Sequence, residues 1–533
     1  MFYAILFLSG AAVLALELLA SRIMTPYFGV SLYIWTGILS ITLVALALGY
    51  LAGGRLAAGR RGAGNPARLT LLFALMPAIA SIAIATACLV YPLLFPRLAS
   101  AHLVLGAFVA CIVLLFVPLF AASAMNPLLV AILQAKGGGR PADAGAGKVF
   151  FVSTLGSVAG VLATGFGLIH YLTNFSATLA VALLLALCSL AAAARPAAPL
   201  AGRAWLGVTG AVATLAAGLL LWQADAYTAR MWPAIYGGKV WRLEASFRSL
   251  FGTVKILRSD PDDSGHYARI YFQDGLVQNT VGSDGRSLSF YTYALEALAY
   301  AYRPRIGSAL VLGLGAGVVP MRLAGRGVAV EAVEIDPASL AAATRHFGFD
   351  PERVRVHLAD ARTQLKRCGR RYDLIVVDLF HGDGIPDYLV TRDFFADLRR
   401  CLEPDGIAVF NTFADLEHPV AYAHLLTTLR EELPHMVLYR PEFPGHAHIN
   451  SFIVAGTRPL PEAQQILLDY VPLQHTAALD YMLARPLTLD LGLLRNGEIV
   501  TDARNRALLD IAEGQLVYRR AVVQSLPAAF LVN

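Results

Sequence analysis

The hydrophobic pattern of the chain changes near residue 222. Before this point, long apolar runs are separated by short polar segments, and after it the apolar runs shorten and alternate with polar positions. An α-helix needs about 20 mainly apolar residues to cross a bilayer. The first part therefore predicts an α-helical transmembrane bundle of about seven spans. The predicted spans cover residues 2–23, 33–54, 69–92, 103–124, 149–172, 175–194 and 204–222.

The second part has the pattern of an α/β protein. A two-residue alternation from residue 246 predicts a small antiparallel β region, and a helix is predicted at 289–302. Strands and helices then alternate as far as residue 457, which is typical of a doubly wound, mainly parallel sheet. The predicted strands of this sheet are 309–312, 329–334, 354–358, 374–378, 407–411, 436–439 and 451–455.

These patterns predict five consecutive regions. They are a membrane domain (1–222), a connector (223–245), a small β region with its helix (246–302), a Rossmann-like domain (303–457) and a helical extension (458–533). In the extension, we expect a helix at 461–470 and further helical stretches to about residue 522.

Basic residues are concentrated in the segments that follow the second, fourth and sixth predicted spans. They are Arg55, Arg60, Arg61, Arg68, Lys136, Arg140, Lys148, Arg195 and Arg203. Because loops rich in Lys and Arg stay in the cytoplasm, these segments and the N-terminus are predicted there. An odd number of spans then places the second part outside, unless one segment does not cross, and the sequence leaves that side open. The net charge of +6 fits this topology, and no K/R-rich run with interleaved aromatics predicts nucleic-acid binding.

The cysteines do not predict a metal site. None of the five is in CxxC spacing, so neither a zinc site nor a disulfide framework is expected. Cys368 and Cys401 lie in the second part. They could pair in an oxidising compartment, but we interpret them as buried free thiols, the usual state of single cysteines.

The strongest chemical signal is a glycine-rich turn between a predicted strand and a helix. Gly313, Gly315 and Gly317 follow the apolar strand in ALVLGLGAGVVPMRLA. Glycines let a backbone turn sharply and approach a ligand closely, and a helix N-terminus favours electron-rich groups. The turn predicts a nucleotide or nucleoside site, although glycines alone are weak evidence for one.

Acidic residues follow the next three predicted strands. Glu334 ends one strand and can bind both ribose hydroxyls, Asp360 can accept from an adenine amine, and Asp378 ends the third. The carboxyl ends of parallel strands meet at one edge of a sheet, so these acids are expected near the glycine turn. Because the turn is not followed by a visible pyrophosphate partner, an adenosyl-sulfonium ligand fits better than a dinucleotide.

With these motifs, residues 246–457 resemble spermidine synthases, the polyamine aminopropyltransferases of the class I methyltransferase-like superfamily. The matching residues are Phe272–Gln278 (FQDGLVQ), Tyr291, the three glycines, Glu334, Asp360, Ala361, Asp378 and Pro386–Phe395. The resemblance implies a class I methyltransferase-like Rossmann domain preceded by a small β region.

The resemblance also implies a role for each matching residue. Gly313, Gly315, Gly317, Glu334, Asp360 and Ala361 would bind the co-substrate, which is decarboxylated S-adenosylmethionine or S-adenosylmethionine itself. Asp274, Gln278 and Tyr291 would line the channel for a polyamine. Asp378 would position and deprotonate the amine, helped by Asp383 or His381. No metal is implied, and a homodimer is an assembly that the resemblance allows.

The first part has a resemblance of its own. Glu17, Arg22, Pro26–Gly29, Trp35 and Gly49–Arg55 are similar to the membrane half of bacterial fused major-facilitator/spermidine synthase proteins. This implies a multi-pass protein of the bacterial inner membrane, surrounded by the lipid bilayer.

The sequence also departs from the soluble enzymes. Ala316 stands where they have an aspartate in the glycine loop, His381 where they have a second aspartate, and Thr292–Tyr293 where they have His-Glu. Two alternatives therefore stay open. One is a different S-adenosylmethionine-dependent transferase or lyase on the same fold, and the other is a non-catalytic membrane protein that binds polyamines or nucleosides.

Overall fold

The computed structural model describes most of the chain. The described residues are 1–30, 32–58, 65–136, 143–193, 200–380, 385–413, 420–441, 450–466, 468, 470–487, 495–505 and 507–533. The chain forms two compact units. The first consists of residues 1–234 with 520–533, and the second of residues 235–519.

Long apolar helices make up most of the first unit. They are α1 (Phe2–Phe28), α2 (Leu32–Ala58), α3 (Pro66–Ala101), α4 (Leu103–Cys111), α5 (Val117–Lys136), α6 (Asp143–Ala163), α7 (Ile169–Tyr171), α8 (Asn174–Ala193), α9 (Leu200–Trp222) and α10 (Ala224–Ala229). Turns of π-helix, Ile112–Phe116 and Thr164–Leu168, join α4 to α5 and α6 to α7. Among the described residues, seven continuous helical stretches are long and apolar enough to cross a membrane. Each overlaps one of the seven predicted spans.

Glycines bring α1 and α6 into backbone contact. A Cβ atom on Gly10 would lie 2.2 Å from the carbonyl oxygen of Ser153, and one on Gly160 would lie 2.0 Å from that of Ala11. The Ser157 hydroxyl on α6 also donates a hydrogen bond to the carbonyl oxygen of Gly10, at 2.9 Å. Small residues at such positions let transmembrane helices approach closely, as the sequence pattern of these segments indicates.

Replacing Gly160 with alanine should therefore destabilise the helical unit. The new methyl group would collide with backbone, which cannot move aside without separating the helices, at a cost of roughly 1–3 kcal/mol. The expected result is a lower melting temperature of the purified protein in detergent. Gly207→Ala in α9 is the matched control, because nothing lies within 4 Å of its Cβ position. Equal melting temperatures for the two variants would contradict the close contact.

A small antiparallel sheet begins the second unit. Its strands, in spatial order, are β1 (Ala234–Tyr236), β2 (Lys239–Ser249), β3 (Gly252–Ser259), β4 (Ala268–Gln273) and β5 (Leu276–Gly282). The sheet starts earlier than the sequence analysis predicted, inside the expected connector 223–245. Trp241 explains the difference, because its side chain is buried in β2 and its indole N–H donates to the carbonyl oxygen of Tyr236 at 2.9 Å.

A larger, mainly parallel sheet follows. Its strands are β6 (Ser308–Leu312), β7 (Ala329–Glu334), β8 (Arg355–Leu358), β9 (Tyr372–Val377), β10 (Leu402–Phe413), β11 (His435–Tyr439) and β12 (Asn450–Gly456). The spatial order is β11-β12-β10-β9-β6-β7-β8, and only the pairs made by β12 are antiparallel. All seven predicted strands are confirmed, with ends that differ by a few residues.

Helices and loops cover both faces of this sheet. The helices of the second part of the chain are α11 (Phe290–Tyr302), α12 (Val318–Gly325), α13 (Pro337–His346), α14 (Ala361–Lys366), α15 (Arg392–Arg400), α16 (Val420–Glu432), α17 (Leu473–Leu483), α18 (Ala507–Ser525) and α19 (Ala528–Leu531). Successive strand residues face opposite layers, so that Val311 and Val376 belong to one buried cluster and Leu312 and Ile375 to the other. This two-sided burial explains why these strands are continuously apolar in the sequence.

The helix predicted at 461–470 is wrong for its described residues. Residues 461–466 have no helical structure. The backbone N–H of Gln464 donates to the carbonyl oxygen of Ala301 at 2.9 Å, and Leu468 is buried in the core. The segment therefore binds along α11 instead of forming its own helical hydrogen bonds.

The two cysteines of the second unit also differ from their interpretation. Cys368 and Cys401 form a disulfide, where the sequence analysis favoured free thiols. The Cα atoms lie 5.9 Å apart, which is a normal separation for bonded cysteines. Sequence spacing could not reveal the pair, because the two cysteines are separated by 33 positions in the chain, and the segment between them contains β9 and α15.

Candidate active site

A cavity of about 550 Å³ lies at the carboxyl ends of β6, β7 and β9. Small-molecule sites in doubly wound sheets are found at this edge, and the volume suits a ligand of nucleoside size with a short extension. Of the predicted site residues, those that line the cavity are Gln278, Tyr291, Gly313, Gly315, Glu334, Asp360, Ala361 and Asp378. The structure thus brings together residues that are far apart in the chain.

The glycine turn makes the floor of the cavity. All three glycines have positive φ angles, at 93° for Gly313, 52° for Gly315 and 76° for Gly317. A Cβ atom on Gly313 would lie 2.1 Å from the carbonyl oxygen of Asp378, whereas nothing lies within 4 Å of that position at Gly315. The first glycine therefore permits close packing of two strand ends, and the second leaves open space for a ligand. Gly317 does not line the cavity and packs against Phe349 instead.

Glu334 ties the glycine turn to the next strand end. Its Oε2 accepts a hydrogen bond from the backbone N–H of Leu314 at 3.1 Å, and its Oε1 accepts from that of Asp336 at 2.8 Å. Burial raises the pKa of the Glu334 carboxyl to about 7, against the effect of these backbone N–H groups. Each carboxylate oxygen can accept more than one hydrogen bond, so the group can also accept from a ligand's hydroxyls.

Asp360 caps a helix at the cavity wall. Its Oδ2 accepts from the backbone N–H of Thr363 at 2.8 Å, and its Oδ1 accepts from the Tyr388 hydroxyl at 3.4 Å. Ala361, the first residue of α14, is buried beside it. Asp360 is therefore a helix-capping acid that also lines the cavity.

Asp378 lies at the end of β9, next to the glycine turn. The Asn411 side-chain Nδ2 donates to Asp378 Oδ1 at 2.8 Å, and the Asn450 Nδ2 donates to Asn411 Oδ1 at the same distance. Burial raises the pKa of the Asp378 carboxyl to about 6, and the hydrogen bond from Asn411 opposes this rise. The group can therefore exchange a proton near neutral pH, as a general base must.

A tyrosine faces Asp378 across the cavity wall. The Tyr291 hydroxyl accepts a hydrogen bond from Asn279 Nδ2 at 3.2 Å, and Asn279 Oδ1 accepts from the Ser287 hydroxyl at 2.9 Å. Burial, together with the nearby Asp378, raises the pKa of Tyr291 well above its ordinary value. Tyr291 therefore stays protonated, and its O–H can donate to a ligand.

Asp274 is not part of the cavity wall. It is buried in the turn between β4 and β5, with a φ of 46°, and its Oδ1 accepts from the backbone N–H of Thr253 at 3.0 Å. The resemblance implied a substrate role for Asp274, whereas these contacts favour a role in the hairpin turn. The other two predicted catalytic residues, His381 and Asp383, lie outside the described residues.

The charged groups of the described cavity wall are all acidic. They are Glu334, Asp336, Asp360 and Asp378, and no Lys, Arg or His is among the described lining residues. Such a wall favours ligands that carry positive charge. In the described part of the chain, no group of three His, Cys, Asp or Glu side chains is arranged to hold a metal ion.

Sequence reasoning missed the asparagines around Asp378. Asn411 lies on the strand beside Asp378, one position beyond the paired residues Phe410 and Val377, and Asn450 begins the neighbouring antiparallel strand. The sequence did contain a signal for Asn411, because a polar residue directly after the apolar run IAVF is unusual in a core strand. Finding Asn450 required the order of the strands, which the sequence does not supply.

Part of the second unit is similar to known proteins. The family described as "Spermine/spermidine synthase domain" matches residues 305–457. A polyamine aminopropyltransferase of Vibrio vulnificus is 33% identical over 174 residues, which is 31% of this chain and 57% of that protein. One from Pyrobaculum calidifontis is 27% identical over 222 residues, covering 39% of this chain and 74% of that protein.

A solved structure covers a similar region. The probable spermidine synthase from Corynebacterium glutamicum aligns with a TM-score of 0.40 at 16% identity, and covers 49% of this chain and 97% of that one. The chain thus spans little more than half of the length of the Vibrio relative.

Glu334→Gln should weaken the binding of methylthioadenosine. The amide cannot accept with both side-chain atoms, so one charge-assisted hydrogen bond to the ligand is lost. This loss should raise the dissociation constant about tenfold to hundredfold. Isothermal titration of the full chain measures the change. Glu331→Gln on the same strand is the matched control, because its carboxylate binds His357 and Arg370. Equal affinities of the two variants for methylthioadenosine would show that Glu334 does not bind this ligand.

Proposed function

We propose that this chain, whose C-terminal part contains a spermine/spermidine synthase domain, is a membrane-bound aminopropyltransferase. In this reaction an aminopropyl group moves from decarboxylated S-adenosylmethionine to a polyamine, and methylthioadenosine is released. The proposal rests on one observation above all. The titratable carboxylate of Asp378 lies in the same cavity as the open glycine turn and Glu334.

The acidic wall supports the decarboxylated donor. The intact donor carries a carboxylate on its tail, and the described wall offers that group no cationic side chain. The decarboxylated tail lacks that carboxylate and keeps the ammonium group, which carboxylates bind through charge-assisted hydrogen bonds. In the donor, the ribose would bind at Glu334 and the adenine beside Asp360.

Aminopropyl transfer is a displacement at carbon. The lone pair of an uncharged amine forms a C–N bond as the C–S bond breaks, and the electron pair of that bond neutralises the sulfonium. The attacking nitrogen then loses a proton, which the Asp378 carboxylate can accept. Because its pKa is about 6, Asp378 is mainly ionised at pH 7 and can bind the amine N–H before accepting the proton.

One observation favours a second candidate, another S-adenosylmethionine-dependent transferase or lyase. Ala316 of the glycine turn is buried with Val254 and Ile256, so this position cannot hold a ligand's amine. Titration with S-adenosylmethionine, its decarboxylated form and methylthioadenosine separates the candidates. Tighter binding of the decarboxylated form supports aminopropyl transfer, tighter binding of the intact form supports the alternative, and binding of neither leaves a non-catalytic membrane protein.

The membrane arrangement has a direct test. The basic segments after the second, fourth and sixth spans favour a cytoplasmic position for those segments, so the chain after residue 222 is expected on the other side. Fusions to alkaline phosphatase report the side of the membrane, because this enzyme folds only in a compartment where its disulfides form. We expect an active fusion after residue 229 and an inactive one after residue 136. An inactive fusion at both points would mean that one of the seven helices does not cross.

Asp378→Asn should abolish product formation. Without the carboxylate the amine is neither aligned nor deprotonated, and the rate is expected to fall about 10²- to 10⁴-fold. Mass spectrometry after incubation with either donor and a panel of polyamines detects the aminopropylated product. The wild-type rate should also fall as the pH drops below about 6, because the ionised form of Asp378 is then lost.

Asp405→Asn is the matched control for this variant. Asp405 is exposed on β10 and pairs with Arg458, so its loss should leave the rate unchanged. A fully active Asp378→Asn protein, or a wild-type rate that is unchanged between pH 5 and pH 7, would overturn the assignment of Asp378.

A further inference from the structure

Three neighbouring strand ends carry a continuous chain of side-chain hydrogen bonds. Asp378 follows β9, Asn411 lies near the end of β10, and Asn450 begins β12. Each of the two bonds, from Asn450 to Asn411 and from Asn411 to Asp378, measures 2.8 Å between nitrogen and oxygen. All three residues line the cavity, and Asn411 is only 2% exposed.

The carboxylate determines the direction of this chain. An ionised carboxylate can only accept hydrogen bonds, so Asn411 must present its NH₂ group to Asp378. Its oxygen is then fixed on the opposite side, where only a donor fits, and Asn450 must present its own NH₂ group. A flip of either amide would place two acceptors or two donors against each other. Asn450 lines the cavity, and its remaining polar atom, Oδ1, is the hydrogen-bond acceptor that it can offer to a ligand.

An amide oxygen suits an attacking amine better than a second carboxylate would. A carboxylate beside an amine stabilises the ammonium form and so raises the pKa of the amine. The nucleophile must be uncharged, so a second carboxylate would improve binding but reduce the reactive fraction. An amide oxygen accepts an N–H without adding charge, and so it can align the nitrogen and leave it free to lose its proton.

We propose that Asn450 Oδ1, oriented by Asp378 through Asn411, is a second hydrogen-bond acceptor for the nitrogen of the polyamine acceptor. Asn411 is then a positioning residue, because it acts through its two neighbours. The inference rests on the proposed aminopropyl transfer and adds to it two residues that determine how the amine is held.

Two leucine variants test the chain in the full-length protein. Asn450→Leu removes the acceptor, and the KM for 1,4-diaminobutane should rise about tenfold, the value of one hydrogen bond to a polar ligand, while the KM for the donor is unchanged. Asn411→Leu should do the same and also move the acid limb of the pH–rate profile upward by about one pH unit. The sign follows because the lost N–H donor stabilised ionised Asp378, and activity requires that ionised form.

A charged variant separates alignment from simple affinity. Asn450→Asp removes the N–H that Asn411 Oδ1 accepts but keeps an acceptor and adds a negative charge, so the diamine KM should stay near the wild-type value or fall. The pH optimum should move upward and kcat at pH 7 should drop, because more of the bound amine is protonated. If Asn450 acted only as the donor to Asn411, both Asn450 variants would lose that role, and the diamine KM would rise in Asn450→Asp as it does in Asn450→Leu.

Thr412→Val is the matched control for the fold. Its hydroxyl lies on the other side of β10 and makes a buried hydrogen bond with Ser451 across the same strand pair, away from the cavity. Melting temperature and methylthioadenosine affinity, measured for every variant, show whether the site is still folded. Should the buried Asn411→Leu not fold, Asn450→Leu and Asn450→Asp carry the test, since Asn450 is only partly buried.

The outcomes distinguish this inference from the proposed function. If wild-type protein forms aminopropylated product and the Asn450 variants keep its diamine KM and pH optimum, the inference is wrong and the function stands. If wild-type protein forms no product with either donor, the function is wrong. Titration of 1,4-diaminobutane in the presence of methylthioadenosine then decides the inference alone: weaker binding to Asn450→Leu supports it, and equal binding overturns it.

Discussion

The candidate site depends on a close backbone contact between two strand ends. Gly313, at the end of β6, leaves no room for a side chain because the carbonyl oxygen of Asp378 occupies that space. The contact places the carboxylate of Asp378 beside the turn that opens towards the ligand. Any other residue at position 313 would force the strand ends apart and would also have to adopt a left-handed backbone conformation. The absence of a side chain at position 313 therefore allows the glycine turn, which would bind the nucleoside, and Asp378 to lie next to each other.

Burial then sets the chemistry of the two central acids. Glu334 and Asp378 both have pKa values raised by burial, yet their partners differ. Glu334 is held by backbone N–H groups and is a rigid part of the turn, whereas Asp378 is held by an amide that is itself held by a second amide. The arrangement at Glu334 suits ligand binding. At Asp378, the described contact with Asn411 uses only Oδ1, so the second carboxylate oxygen can accept a proton.

Much of this fold and part of the site follow from local sequence. Apolar runs predicted the strands. Because the carboxyl ends of parallel strands meet at one edge of a sheet, Glu334, Asp360 and Asp378 were expected together there. The role of Asp274 could not be read, since an acid before glycine suits a hairpin as well as a ligand. The contact between Asn411 and Asn450 depends on the pairing of β10 with β12, which are distant in the sequence. The Cys368–Cys401 disulfide has the same origin, as the two sulfurs meet only after β9 joins the sheet.

The glycine contact between α1 and α6 has a consequence for biosynthesis. The partner of the first helix is made more than a hundred residues later, since Gly10 meets Ser153 and Ala11 meets Gly160. On the proposed membrane arrangement, α1 is therefore synthesised before the helix that its glycine face contacts. The contact between α1 and α6 can form only after the helices between them in the chain have been synthesised.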